Sequence, residues 1–81
     1  MQIGIEFNGA LRRLAGRADM TIDVPETAVV GDVLNALERV VPDLAALLET
    51  SACAVGDSLV SRRSGLSDGD RLVLLPPVSG G

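Results

Sequence analysis

Residues 66–81 read Leu66-Ser67-Asp68-Gly69-Asp70-Arg71-Leu72-Val73-Leu74-Leu75-Pro76-Pro77-Val78-Ser79-Gly80-Gly81, and three signals follow one another in that stretch. Ser67-Asp68-Gly69-Asp70 is turn chemistry. Aspartates bond to nearby backbone, and glycine accepts the positive φ that tight turns demand. Arg71 to Leu75 is nearly all apolar, which predicts a strand buried on both faces and therefore central in its sheet. Pro76 and Pro77 lack backbone donors, so the ladder must stop there. The expected place for this last strand is the middle of the sheet, beside the first.

Working outward, Ile3, Ile5 and Phe7 alternate with Gln2, Gly4 and Glu6, a period of two that predicts a strand over residues 2–7. Asn8-Gly9 breaks it. Residues 10–15 set Leu11 and Leu14 against Arg12 and Arg13, and Gly16 follows as a helix stop, so one or two helical turns are expected. Met20, Ile22 and Val24 alternate with Asp19, Thr21 and Asp23 until Pro25 ends a second strand. The clearest helix spans 30–41, where Val30, Val33, Leu34, Leu37, Val40 and Val41 form one apolar stripe. Asp32 in its first turn and Arg39 in its last suit the helix dipole, and Pro42 stops it. Asp43 is expected to cap a short turn that points Leu44, Leu47 and Leu48 inward. Residues 52–55 and 58–60 read as strands around a Gly56-Asp57 turn. This order predicts an α+β domain over 1–75, a mixed sheet with one main helix across one face, followed by a tail at 76–81.

Composition narrows the function classes. Seven basic and eleven acidic side chains among 81 residues leave a net charge of −4, too acidic for a nucleic-acid footprint. Phe7 is the only aromatic, so base stacking has no platform. With no histidine, Ser-His-Asp and Cys-His nucleophile systems are excluded within this chain, as are histidine-bearing metal sites. Cys53 is the only cysteine and cannot form an internal disulfide. No apolar run approaches the ~20 residues of a membrane span, and the start carries no signal-peptide pattern. A cytoplasmic setting is expected, with no membrane and no nucleic-acid partner.

The tail is the feature that nothing inside a small domain requires. Two prolines hold the chain stiff as it leaves the last strand. Gly80 and Gly81 make the tip thin and free in φ. Six residues reach at most roughly 20 Å. The chemical group at the tip is the Gly81 α-carboxylate.

The chain resembles the ubiquitin-like sulfur carriers, and within them most closely the small subunits of molybdopterin synthase. The resemblance rests on Leu66-Ser67-Asp68-Gly69-Asp70, on Pro76-Pro77-Val78-Ser79-Gly80-Gly81, on Ala54-Val55-Gly56-Asp57-Ser58-Leu59-Val60 and on Val30-Gly31-Asp32-Val33-Leu34. It covers essentially the whole chain and implies a β-grasp fold. It also implies a carrier that is no enzyme on its own. On that resemblance, a partner enzyme is expected to use ATP to adenylate Gly81, and a sulfur donor to convert the adenylate to a thiocarboxylate. The tail of Pro76, Pro77, Val78, Ser79 and Gly80 is expected to thread into the large subunit of the synthase, within a heterotetramer whose catalytic pocket belongs to that large subunit. There the sulfur would pass to cyclic pyranopterin monophosphate. The resemblance places Phe7, Leu59 and Leu75 on one exposed face that meets partners, although such carriers often have an aromatic where Leu75 stands. No cofactor and no metal is expected on this chain. Alternatives are a ubiquitin-like protein modifier, a carrier for thiamin or tRNA thiolation, and a plain interaction module. The remaining candidates have ordinary readings. Cys53 reads as a small buried thiol, Asp68 and Asp70 as turn residues, and Arg62-Arg63, like Arg12-Arg13, as a solvated pair.

Overall fold

The sheet orders its five strands β2-β1-β5-β3-β4 in a computed structural model that describes residues 1–78. Along the chain, β1 (Gln2–Glu6), α1 (Gly9–Ala15), β2 (Asp19–Asp23) and α2 (Val30–Val40) come first. A 3₁₀ turn (Pro42–Leu44), α3 (Ala45–Leu48), β3 (Ala52–Val55), β4 (Ser58–Val60) and β5 (Arg71–Leu75) follow. β5 lies beside β1 in the middle, parallel to it and antiparallel to β3, so the sheet is mixed as expected. The two hairpins, β1–β2 and β3–β4, flank that parallel seam. Gly56 takes the first loop position of the β3–β4 hairpin at φ 60°, where a residue with a Cβ would be strained.

One side of the sheet is covered. Ile3, Ile5, Leu72 and Leu74 point into the core with no exposed surface, against Val30, Val33 and Leu37 of α2. Each fully buried Leu or Ile contributes about 1.5–3 kcal/mol of transfer free energy. Leu44 and Leu48 close the core after α2, as their spacing predicts. Val40 departs from the expected stripe and is exposed at the end of α2. β5 departs as well. Its burial alternates, with Leu72 and Leu74 buried and Arg71 and Leu75 exposed, so it is central but covered on one face only. The helices all fold onto the other face, and an apolar strand cannot cover itself.

The start of α2 shows how the loops hold the layers together. Val29 cannot cap the helix through its side chain, and Asp32 accepts from the Val29 N–H at 2.9 Å. The next two N–H groups donate to the 61–65 loop: Val30 to the Ser64 carbonyl at 2.9 Å and Gly31 to the Arg62 carbonyl at 2.8 Å. A Cβ on Gly31 would sit 3.2 Å from that same oxygen, so a side chain there would press on the loop by a few tenths of an ångström. The expected Asp43 cap does not form; Asp43 lies inside the 3₁₀ turn without a capping bond, and Leu44 holds the cap position of α3.

Candidate functional site

Strand register places the open face of the sheet residue by residue. Leu59 pairs with Ala54, Ala54 with Val73, Val73 with Glu6, and Glu6 with Asp19, one row across all five strands. Ala52 pairs with Leu75 one step along. Cross-strand partners share a face, and side chains alternate along a strand, so these residues all point away from the helices. The face divides into two halves. Leu59, Ala54, Val73, Leu75 and Ala52 make an apolar half on β4, β3 and β5. Glu6, Asp19 and Arg71 make a charged half, with Arg71 3.1 Å from Glu6 and 3.7 Å from Asp19.

Leu59 is 73% exposed and Leu75 37%, and both lie on the apolar half. Phe7 does not join them. It is 2% exposed, inside the core, with its N–H on the Ala18 carbonyl at 2.9 Å. The placement of Phe7 on a shared exposed face is therefore corrected. The physical reason is parity: Phe7 continues β1 in phase with Ile3 and Ile5, and the alternation that buries those two buries it too. That signal was present in residues 2–7.

The central strand delivers the tail at the edge of this apolar half. Leu75 ends β5, Pro76 is half-buried, and Pro77 and Val78 stand out in solvent. A groove bounded by Asn8, Arg13, Leu47 and Leu75 runs beside them. Ser79, Gly80 and Gly81 lie outside the described residues.

The other candidates have structural tasks. Ser67-Asp68-Gly69-Asp70 is a hydrogen-bonded turn, with Asp70 accepting from the Ser67 N–H at 2.8 Å. Among the described residues no cluster of histidine, cysteine, aspartate and glutamate could hold a metal. Arg62 is exposed, as expected of a solvated pair, and its guanidinium also donates to the Leu48 carbonyl, at the end of α3, and to the Ser51 carbonyl at 3.4 Å. Cys53 is buried, and burial pushes its thiol up from the ordinary 9.0, with the Arg62 charge opposing. A raised thiol is a poor nucleophile, which suits the reading of Cys53 as packing. Sequence reasoning did not single out Asn8, whose side chain reaches the end of β5.

The profile described as the ThiS family matches residues 5–81. A molybdopterin synthase sulfur carrier subunit from Chlamydomonas reinhardtii is 29% identical over 83 residues, covering all of both chains. The crystal structure of SAMP1 from Haloferax volcanii superposes with a TM-score of 0.91 at 27% identity, again over all of both chains. Subunits 1 and 2 of the molybdopterin-converting factor from Helicobacter pylori, solved as a protein–protein complex, include a chain with a TM-score of 0.64 at 27% identity over the full length of each. No helix among the described residues is long and apolar enough to cross a membrane.

Proposed function

The chain belongs to the ThiS family, and from that premise we propose that it is the sulfur-carrier subunit of a molybdopterin synthase. The observation that carries this reading is the path of β5. β5 sits at the centre of the sheet and leads directly into Pro76-Pro77, with Gly80-Gly81 following in the sequence. A central strand is the stiffest base from which to present a terminus, because both of its neighbours hold it.

The chemistry assigned to Gly81 proceeds in steps. A carboxylate oxygen attacks the α-phosphate of ATP on an activating enzyme, and pyrophosphate leaves. A hydrosulfide-level sulfur nucleophile then displaces AMP from the acyl carbon, leaving a thiocarboxylate. In the large subunit's pocket that sulfur attacks cyclic pyranopterin monophosphate, and water cleaves the resulting acyl link to regenerate the Gly81 carboxylate. Two such rounds supply the two dithiolene sulfurs. This chain contributes the sulfur-bearing terminus and a docking face, for which exposed Leu59 and Leu75 are the natural anchors. The partner supplies the acid–base groups, and the setting is cytoplasmic.

A second reading, a protein modifier joined through Gly81 to an amine of another protein, is favoured by the similarity to SAMP1, a small archaeal modifier protein. The test is a Gly81 deletion beside a one-residue extension. The extension moves the carboxylate by about 3.5 Å, further than a bonded reaction geometry tolerates. Both variants should melt like the parent yet yield no thiocarboxylate by intact mass and no sulfur transfer. Full transfer by the extended chain would refute the carrier reading, and a ladder of protein conjugates in cells would establish the modifier instead.

A further inference from the structure

The turn that follows β1 grips the place where the tail begins. In a parallel ladder, the carbonyls of one strand face each neighbour alternately. The Gly4 N–H donates to the Asp70 carbonyl at 2.9 Å, so by alternation the carbonyls of Leu72 and Leu74 also face β1. The backbone donor that would meet Leu74 belongs to residue 8, but β1 ends at Glu6 and Asn8 opens α1. The Asn8 carboxamide takes over that task, donating to the Leu74 carbonyl at 3.1 Å. Its nitrogen also lies 3.4 Å from Glu6 Oε2, giving its second N–H an acceptor. Glu6 is held in turn by Arg71 at 3.1 Å.

Two further observations point the same way. Asparagine at a helix N-cap ordinarily accepts from the first turn, a bond worth about 1 kcal/mol. Asn8 occupies that position and makes no such bond; its side chain serves β5. Gly9, at φ 52°, lies against the tail, and a Cβ there would come within 3.2 Å of Pro76 Cγ. One residue pins the last inward carbonyl of β5, and the next leaves room for the first proline of the tail.

We propose that Asn8 and Gly9 are positioning residues for the carrier terminus, fixing the direction in which Pro76-Pro77 leaves the sheet. The proposal rests on the reading of Gly81 as the carrier group. Five residues lie beyond Pro76, a lever of at most about 17 Å. A tilt of ~15° at the root would displace the tip by about 4 Å, enough to remove it from a productive approach. Docking through Leu59 and Leu75 would be untouched.

Asn8→Asp is the deciding variant. It preserves size and remains a good helix cap, but a carboxylate cannot donate to Leu74 and is repelled by Glu6. A merely structural asparagine would show its loss as a lower melting temperature alone. The expected result is a melting temperature lowered by only a few degrees, large-subunit affinity close to the parent, a fall in the ¹⁵N heteronuclear NOE of the Leu75 and Val78 amides, and roughly tenfold slower single-turnover sulfur transfer from the thiocarboxylated carrier. Asn8→Ala should behave alike, and Gly9→Ala should slow transfer further if it folds. Unchanged NOEs, or lowered NOEs with unchanged transfer, would overturn the proposal. The Gly81 deletion run in parallel separates the two readings: transfer without Gly81 refutes the carrier function, while the NOEs still report whether Asn8 holds the tail root.

Discussion

The Asp68 carboxylate accepts a hydrogen bond from the Gln2 N–H at 2.7 Å, joining residues 66 positions apart. It is the first rung of the parallel seam between β1 and β5. The Gly69 N–H then donates back to the Gln2 carbonyl at 2.8 Å, and the Gly4 N–H to the Asp70 carbonyl at 2.9 Å, after which the strands continue the ladder. A turn that looks purely local thus sets the register in which the last strand meets the first.

Asp68→Ala should therefore lower stability by about 1 kcal/mol in urea denaturation, less than the usual value for a bond to a charged acceptor because the site is exposed. Asp68→Asn keeps an acceptor oxygen and should cost less. Equal losses in both variants would show that the carboxylate does something other than accept from Gln2.

Phe7 and Leu59 should separate folding from docking. Phe7→Ala empties a core position and should cost about 3–5 kcal/mol. Leu59→Ala should change stability by no more than about 0.5 kcal/mol. Its effect should be on binding to the large subunit, weakened by roughly 5–30-fold if Leu59 anchors that interface. Isothermal titration beside urea melts reads both. Unaltered binding by Leu59→Ala would remove it from the interface.

Cys53 gives the fold a pH dependence that can be isolated. The chain has no histidine, tyrosine or lysine, so the thiol is the one side chain that titrates between about pH 8 and 11. Burial raises it above its ordinary 9.0 in the folded state. The unfolded chain therefore loses this proton first. The neutral thiol's contribution is complete below about 9.0 and is lost as pH rises through the higher folded value. Urea midpoints should fall across that window in the parent and stay flatter in Cys53→Ala. The same slope in both would assign it elsewhere.

All seven basic residues are arginine, so an activated Gly81 meets no lysine on its own chain. The Met1 amine donates to the Val24 carbonyl at 2.6 Å and lies 3.5 Å from Asp23. Incubation with an activating enzyme and ATP should give little self-conjugate. Arg13→Lys, beside the tail root, should give some, because it places an amine in the groove next to Pro76 and Pro77. Abundant polymer from the parent on a denaturing gel would contradict this.

Local periodicity carried much of the architecture. Alternation marked β1 and β2, the apolar stripe marked α2, and the Gly56 and Gly69 turns marked the ends of later strands. These patterns depend on neighbours within a few residues, which is why they can be read without tertiary knowledge. The prolines and glycines after Leu75 were legible for the same reason, since they state what the backbone cannot do.

What periodicity supplies is the set of residues that share a face, and it is silent on which face will be covered. Leu75 and Leu72 are equally apolar, yet one is open and the other buried, because all the helices settle on a single side of the sheet. Arg62 stays exposed, yet its bond to the Leu48 carbonyl exists only once the 61–65 loop lies against the end of α3. Asn8 looked like a strand break, and became the partner of Leu74 only when β5 lay down beside β1. In each case the deciding contact joins residues far apart in sequence, and its energy exists only after the chain has closed the loop between them.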